Sequence, residues 1–172
     1  MSYSPSLQTL WQDRSVAGQS LVEPLLRYAR RPDVIILALP RGGVPVAYEV
    51  ATALQVRLDL MVVRKLGMPS QPEFAMGAIA SGGIQIRNEE VLRAHSIDQD
   101  SYDAVVARET RELSRREQVY RGTRAPLQLK DQVVILIDDG LATGASMLAA
   151  IQAVQVQAPA RIVVAVPVAP LD

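Results

Sequence analysis

Asp138 and Asp139 are adjacent carboxylates at the end of an apolar run, Val134-Ile-Leu-Ile137, and a loop of small residues leads on from them to Ser146. A loop of small residues entering a helix can curl so that several backbone N–H groups converge on one anion, and the helix N-terminus adds a favourable dipole. Thr143 and Ser146 add hydroxyl donors, so Ala142, Thr143, Gly144, Ala145 and Ser146 make a candidate phosphate cradle. Two aspartates would repel a phosphate set directly on them. A ligand that carries hydroxyls and Mg²⁺ beside its phosphate removes the conflict, because vicinal hydroxyls donate to carboxylates and the metal offsets charge. A sugar phosphate, with its 5′-phosphate in the loop and its 2′- and 3′-hydroxyls on the aspartates, satisfies both halves. Arg41, in Pro40-Arg-Gly-Gly43, and the pair Arg64-Lys65 are basic groups suited to a second, more highly charged phosphate.

Other chemistries fit less well. A nucleotide-binding P-loop needs a lysine before its Ser/Thr, and Ala145 stands there with the wrong glycine spacing. Asp138-Asp139 taken alone can equally be read as caps of the helix that follows. His95, the single histidine, sits in a charged stretch with no partner in sequence and reads as a surface residue. Arg108, Arg111, Arg115 and Arg116 read as a solvated, ion-paired helix face, and Trp11 and Phe74 as packing residues.

These residues need elements to position them. Val34–Leu39 is continuously apolar, as a strand covered on both faces is. It enters the Pro40–Gly43 turn and then a helix over Val44–Leu54. Leu58–Val63 reads as a second buried strand, Gln132–Ile137 as a third and Arg161–Val166 as a fourth, with a helix over Thr143–Gln157 between the last two. Leu66 to Phe74, with two prolines and a glycine, reads as a mobile loop. Ala75–Ala80, Gly82-Gly83 and Ile84–Ile86 read as a hairpin with a two-residue glycine turn. Asp98 to Arg121 reads as a long charged helix carrying the pairs Arg108/Glu112 and Glu112/Arg116. A first helix is expected over about residues 19–31, kinked or shortened by Pro24. Strands alternating with helices predict an open, mainly parallel α/β sheet flanked by helices, Rossmann-like, with ligands beyond the carboxyl ends of the strands.

The 172 residues fit a single domain over 1–172, and 49% hydrophobic content supports a packed core. Eighteen basic and eighteen acidic residues leave no net field to draw nucleic acid or an anionic membrane. The absence of cysteine excludes disulfides, thiolate catalysis and thiolate metal sites. The start, MSYSPSLQTLWQDRS, lacks the basic flank and apolar core of a signal peptide, and the apolar runs are far shorter than the roughly 20 residues that span a bilayer. A cytoplasmic location is the expectation by elimination.

The run Ile135-Leu-Ile-Asp-Asp-Gly-Leu-Ala-Thr-Gly-Ala-Ser146 resembles the phosphoribosyl-pyrophosphate (PRPP) motif of type I phosphoribosyltransferases. Leu39-Pro-Arg-Gly-Gly43 resembles that family's pyrophosphate loop, and Arg64-Lys65 with the segment Leu66–Gly77 resembles its closing loop. With Asp13-Arg14 and Ala17-Gly18, the chain is most similar to a subgroup of bacterial phosphoribosyltransferase-domain proteins. The resemblance implies the type I fold with a flexible-loop hairpin, PRPP and a nucleobase-like acceptor as ligands, Mg²⁺ as cofactor, and a homodimer. It implies that Asp138 and Asp139 hold the ribose hydroxyls and that Ala142 to Ser146 hold the 5′-phosphate. Arg41 and Gly42, helped by Arg64 or Lys65, would hold pyrophosphate. Asp138, Asp139, Arg64 and Lys65 are the expected catalytic set, with Mg²⁺ held through PRPP and water rather than by direct protein ligands. It also implies a cis peptide bond between Pro40 and Arg41.

Two departures qualify the resemblance. Where 6-oxopurine salvage enzymes have an aspartate before the Thr-Gly, this chain has Ala142, which argues against hypoxanthine or guanine as acceptor. The chain also stops soon after its fourth expected strand, which reads as short for the family at the C-terminus. Three functions therefore stand: PRPP-dependent transfer to a nitrogenous base, a regulator that keeps the PRPP site without turnover, and a Mg²⁺-dependent sugar-phosphate hydrolase. Glu73, in the closing loop, reads as a hydrogen-bonding group or an anchor.

Overall fold

A computed structural model describes residues 11–170; the reading of residues 1–10 as lacking a signal sequence lies outside them. Two strands, β1 (Val34–Ala38) and β6 (Val133–Ile137), form the centre and are buried at every position. Their apolar continuity has a direct cause, since a helix covers each face. Ile36 and Ala38 face α3 (Gly43–Leu54) through Val46, Val50 and Leu54. Ile35 and Leu37 face α6 (Ala145–Gln155) through Met147, Ala150 and Val154. Each such side chain, fully buried, contributes about 1.5–3 kcal/mol of hydrophobic stabilisation.

The first sheet is parallel, in the order β2-β1-β6-β7, with β2 at Arg57–Leu60 and β7 at Arg161–Ala165. From β1 the chain crosses through α3 to β2 on one side. From β6 it crosses through α6 to β7 on the other. The neighbours β1 and β6 therefore form a topological switch point, where outgoing loops part and leave a crevice at the carboxyl ends of the strands. Pro40–Gly43 and Asp138–Gly144 are the two loops that leave it.

A second, antiparallel sheet runs β3 (Val63–Gly67), β4 (Ala75–Ala80) and β5 (Ile84–Arg87). The hairpin is as expected, but its turn has three residues rather than two, Ser81-Gly82-Gly83, because Ala80 pairs with Ile84; φ is 85° at Gly82 and 74° at Gly83. On one face of this sheet lie α4 (Glu89–Ala94) and α5 (Gln99–Arg121), with Tyr102, Val105 and Leu113 against Leu66, Met76 and Ile79. Arg121 at the end of α5 forms a two-pronged pair with Asp59 of β2, at 2.8 and 3.0 Å, and so ties the second sheet to the first.

Other expectations need correction. The single strand Leu58–Val63 is two strands, β2 and β3, separated by a bend at Met61-Val62, where the Ser81 hydroxyl accepts the Val62 N–H at 2.9 Å. Arg64 and Lys65 consequently lie inside β3, not in a loop after a strand. The first helix begins earlier, as α1 (Arg14–Ser20) capped by Asp13, and continues as α2 (Val22–Leu25) and a 3₁₀ turn to Tyr28. On α5, Glu112 pairs with Arg115 and Arg116, while Arg108 turns to Glu109 instead. Phe74 is 55% exposed and packs into no core.

Candidate active site

The acid pair sits where the switch-point crevice opens. Asp138 leaves the end of β6 half-buried, and its Oδ1 accepts the Asp139 N–H at 2.8 Å. Burial pushes the Asp138 carboxyl up to about 6, and the neighbouring Asp139 carboxylate adds to the rise. The Asp139 N–H and the Arg14 guanidinium pull the other way without cancelling it.

The turn after β1 is pressed against these acids. The peptide bond between Pro40 and Arg41 is cis. Leu39 donates its N–H to Ile137 O at 2.9 Å, so the two loops leave the sheet side by side. A Cβ on Gly42 would lie 2.2 Å from Asp139 Oδ2, and one on Gly43 would lie 2.6 Å from Ile137 O. Only glycine allows that approach. Arg41 itself is exposed, and among the described residues no acidic side chain pairs with it.

Ala142 to Ser146 lead into α6, with Gly144 in the left-handed region (φ 72°) immediately before the helix. The Thr143 hydroxyl accepts the Ala145 N–H at 3.4 Å, a weak contact that a stronger anionic acceptor can replace. Ala142, Thr143, Ala145 and Ser146 are all exposed, so the loop faces solvent. Ser146 and Ala145 also line a cavity of about 500 Å³ between α6 and the second sheet, together with Lys65, Ala75, Arg87 and Leu148.

The structure separates the two basic residues of β3. Strand alternation puts them on opposite faces. Lys65 faces the cavity it shares with Ser146, its Nζ donating to the Glu73 carbonyl at 2.8 Å at the base of the loop. Arg64 faces α5, where Nε donates to Glu109 Oε2 at 2.9 Å and Nη2 adds a second contact to the same oxygen. Glu109 is 8% exposed, and the flanking arginines hold its carboxyl below the usual range even though burial opposes this. Arg64 is thus engaged in packing α5 onto the second sheet. His95 caps the C-terminal end of α4 at the surface, as expected.

One residue at the site had no reading from spacing or type. Arg14 donates Nε to Asp139 Oδ2 at 2.8 Å, and its Nη2 lies 2.7 Å from the same oxygen as an ion pair. It marks the start of α1, and only the Asp13-Arg14 pair ahead of an apolar helix signals it in the sequence.

Comparison with known proteins decides the family. The model of the phosphoribosyl transferase domain matches residues 14–172. The chain belongs to the phosphoribosyl transferase domain family. A Mycobacterium tuberculosis protein with a provisional phosphoribosyl transferase name is 43% identical over 163 residues, 95% of this chain. The chain spans 37% of that relative's length. A crystal structure of the protein TT1426 from Thermus thermophilus is 44% identical, with a TM-score of 0.80, covering 92% of this chain and 75% of that one. A purine phosphoribosyltransferase from Pyrococcus horikoshii, at 21% identity and a TM-score of 0.51 over 92% of this chain and 73% of that one, shares the fold. This phosphoribosyl transferase domain therefore has the mixed α/β architecture, mainly parallel at its centre, that the pattern of strands and helices led one to expect. Among the described residues, no helix is long and apolar enough to cross a membrane.

Proposed function

We propose that the protein is a Mg²⁺-dependent phosphoribosyltransferase, which moves ribose 5-phosphate from PRPP to a nitrogenous base and releases pyrophosphate. One observation carries this reading: the switch-point crevice brings Gly42 against Asp139 and Gly43 against Asp138, and sets an open glycine-bearing loop beside them at the start of α6. A ribose whose hydroxyls meet Asp138 and Asp139 would have the N-terminus of α6 on its 5′-phosphate side and the Arg41–Gly42 turn on the other. Lys65, at the base of the 68–74 loop, is the second basic group for pyrophosphate. Arg64 has its own partner on α5 and is left out of this set.

Among the described residues, no group of three or more His, Asp or Glu side chains could hold a metal. Two adjacent aspartates suit instead a Mg²⁺ that arrives with PRPP and contacts them through water. Such an ion would neutralise charge on the departing pyrophosphate. The protein's own part is binding, orientation and exclusion of water. The bond from ribose C1 to pyrophosphate breaks as a nitrogen of the acceptor bonds to C1, and the site stabilises developing charge without a covalent intermediate. The acceptor is a nucleobase-like heterocycle, and Ala142 continues to argue against the 6-oxopurines. The reading includes a cytoplasmic homodimer, suggested by the family, with no nucleic-acid or membrane partner, in keeping with the balanced charge.

Calorimetric titration of PRPP with Mg²⁺ into the wild type and into Asp138→Asn/Asp139→Asn tests it. Saturable binding by the wild type, lost in the double variant, is expected, followed by pyrophosphate release only when an acceptor base is supplied. Release of phosphate without acceptor would favour the hydrolase. Tight binding with no turnover on any base would favour a regulator.

A further inference from the structure

Arg14 and Asp139 lie 125 residues apart in the chain, yet the guanidinium places both Nε and Nη2 on one oxygen of the carboxylate. Its place there is built. Asp13 Oδ1 accepts the Val16 N–H at 2.9 Å and sets the start of α1, so Arg14 leaves a capped helix end. The helix in turn sits directly on α3: a Cβ on Gly18 would lie 2.6 Å from Val46 O. Because α3 begins at the Gly42-Gly43 turn, Arg14 and the candidate pyrophosphate loop ride on one pair of helices. Asp139 is therefore gripped from two sides, by a guanidinium on one and by the bare Cα of Gly42 on the other.

This pairing does little for the fold, since the Arg14 side chain is 59% exposed and such pairs are screened by solvent. Its effect falls on the site. Two adjacent carboxylates would repel an anionic sugar phosphate, and Arg14 offsets one of the two charges. A carboxylate has about four lone-pair positions, and Arg14 takes those on Oδ2, leaving Oδ1 for a hydroxyl donor. We propose that Arg14 is a positioning residue for the ribose-binding carboxylate: it holds Asp139 in place and lowers the negative charge that a sugar phosphate meets. The proposal rests on the function proposed above and adds a residue to it.

The test is calorimetry of Mg²⁺-PRPP with wild type, Arg14→Ala, Arg14→Lys, Asp139→Asn and Arg14→Ala/Asp139→Asn, with a melting curve for each. Arg14→Ala is expected to weaken binding about tenfold, with Tm little changed. Arg14→Lys, which keeps the charge but not the Nε–H donor, should recover part of the loss. In the Asp139→Asn background the effect of Arg14→Ala should vanish, because Arg14 acts through Asp139. If the alanine variant does not fold, Arg14→Gln carries the same comparison. Unchanged or tighter binding by the Arg14 variants overturns the proposal, the latter making Arg14 a competitor that shuts the site. Additive losses in the double variant overturn it too, since Arg14 would then act independently. Absence of binding by folded wild type is a different result, which removes the functional reading and this residue's role together.

Discussion

Gly42 and Asp139 touch so closely that a single methyl group cannot be added between them: a Cβ on Gly42 would fall 2.2 Å from Asp139 Oδ2. The neighbouring Gly43 is also crowded, at 2.6 Å, but its obstacle is the Ile137 carbonyl, part of the β6 backbone. The two substitutions should therefore fail differently. In Gly42→Ala the carboxylate rotates away, so PRPP binding should fall more than tenfold while stability drops by about 1 kcal/mol. In Gly43→Ala backbone must shift, so stability should fall by about 2–3 kcal/mol. Paired melting curves and calorimetry read both. Equal stability losses with binding retained in Gly42→Ala would mean that Asp139 is not fixed by this contact.

The raised Asp138 carboxyl predicts a pH signature. An unfolded aspartate titrates near about 3.9, whereas burial, and then the Asp139 carboxylate, lift this one to about 6. The native state thus holds the proton more tightly than the unfolded chain. Stability is lost as pH rises from about 4 to 6, and above that range the ionised group costs on the order of 1 kcal/mol, discounted for its half exposure. Asp138→Asn removes that cost. The variant should melt above wild type at pH 8, with the difference closing below pH 4. A variant that melts lower than wild type at pH 8 would show that the ionised carboxylate is stabilised in place.

The central strands and the acid pair were legible because their signals are local. β1 and β6 are apolar at every position, and the chemistry of Asp138 through Ser146 is contiguous. The division of Leu58–Val63 was hidden, because Met61 and Val62 at the bend are as buried as strand residues and hydropathy does not change there. Arg14 on Asp139 and Arg64 on Glu109 were hidden for another reason. Each contact joins residues far apart in sequence, and strand alternation shows that Arg64 and Lys65 part company only once β3 has been bounded.

The bend between the sheets yields a stability prediction. Ser81 is fully buried, and its hydroxyl is the acceptor for the Val62 N–H, while its own N–H donates to Val62 O at 2.9 Å. Ser81→Ala leaves the Val62 N–H buried and unpaired, a loss of about 1–3 kcal/mol. Faster amide exchange at Val62 should accompany the lower melting temperature. Unchanged exchange would mean that the bend is held by packing of Met61 and Val62 alone.

Arg64 and Lys65 offer the sharpest separation of fold from site, because they are neighbours in sequence on opposite faces of one strand. Arg64→Ala removes a partner of Glu109, which is 8% exposed, though Arg108 stays beside it at 3.0 Å. A carboxylate left half-paired in that position should cost about 1–2 kcal/mol, less than a fully orphaned buried charge. Lys65 is exposed and donates only to the Glu73 carbonyl among the described residues, so Lys65→Ala should alter stability by no more than about 0.5 kcal/mol. Binding should show the reverse order. Lys65 shares a cavity with Ser146 and, among the described residues, has no acidic partner to neutralise it, so its loss should weaken PRPP binding severalfold, and Arg64→Ala should weaken it less. If Arg64→Ala instead abolishes binding at wild-type stability, the guanidinium must leave Glu109 when ligand arrives, and the closing movement would reach through β3 to α5.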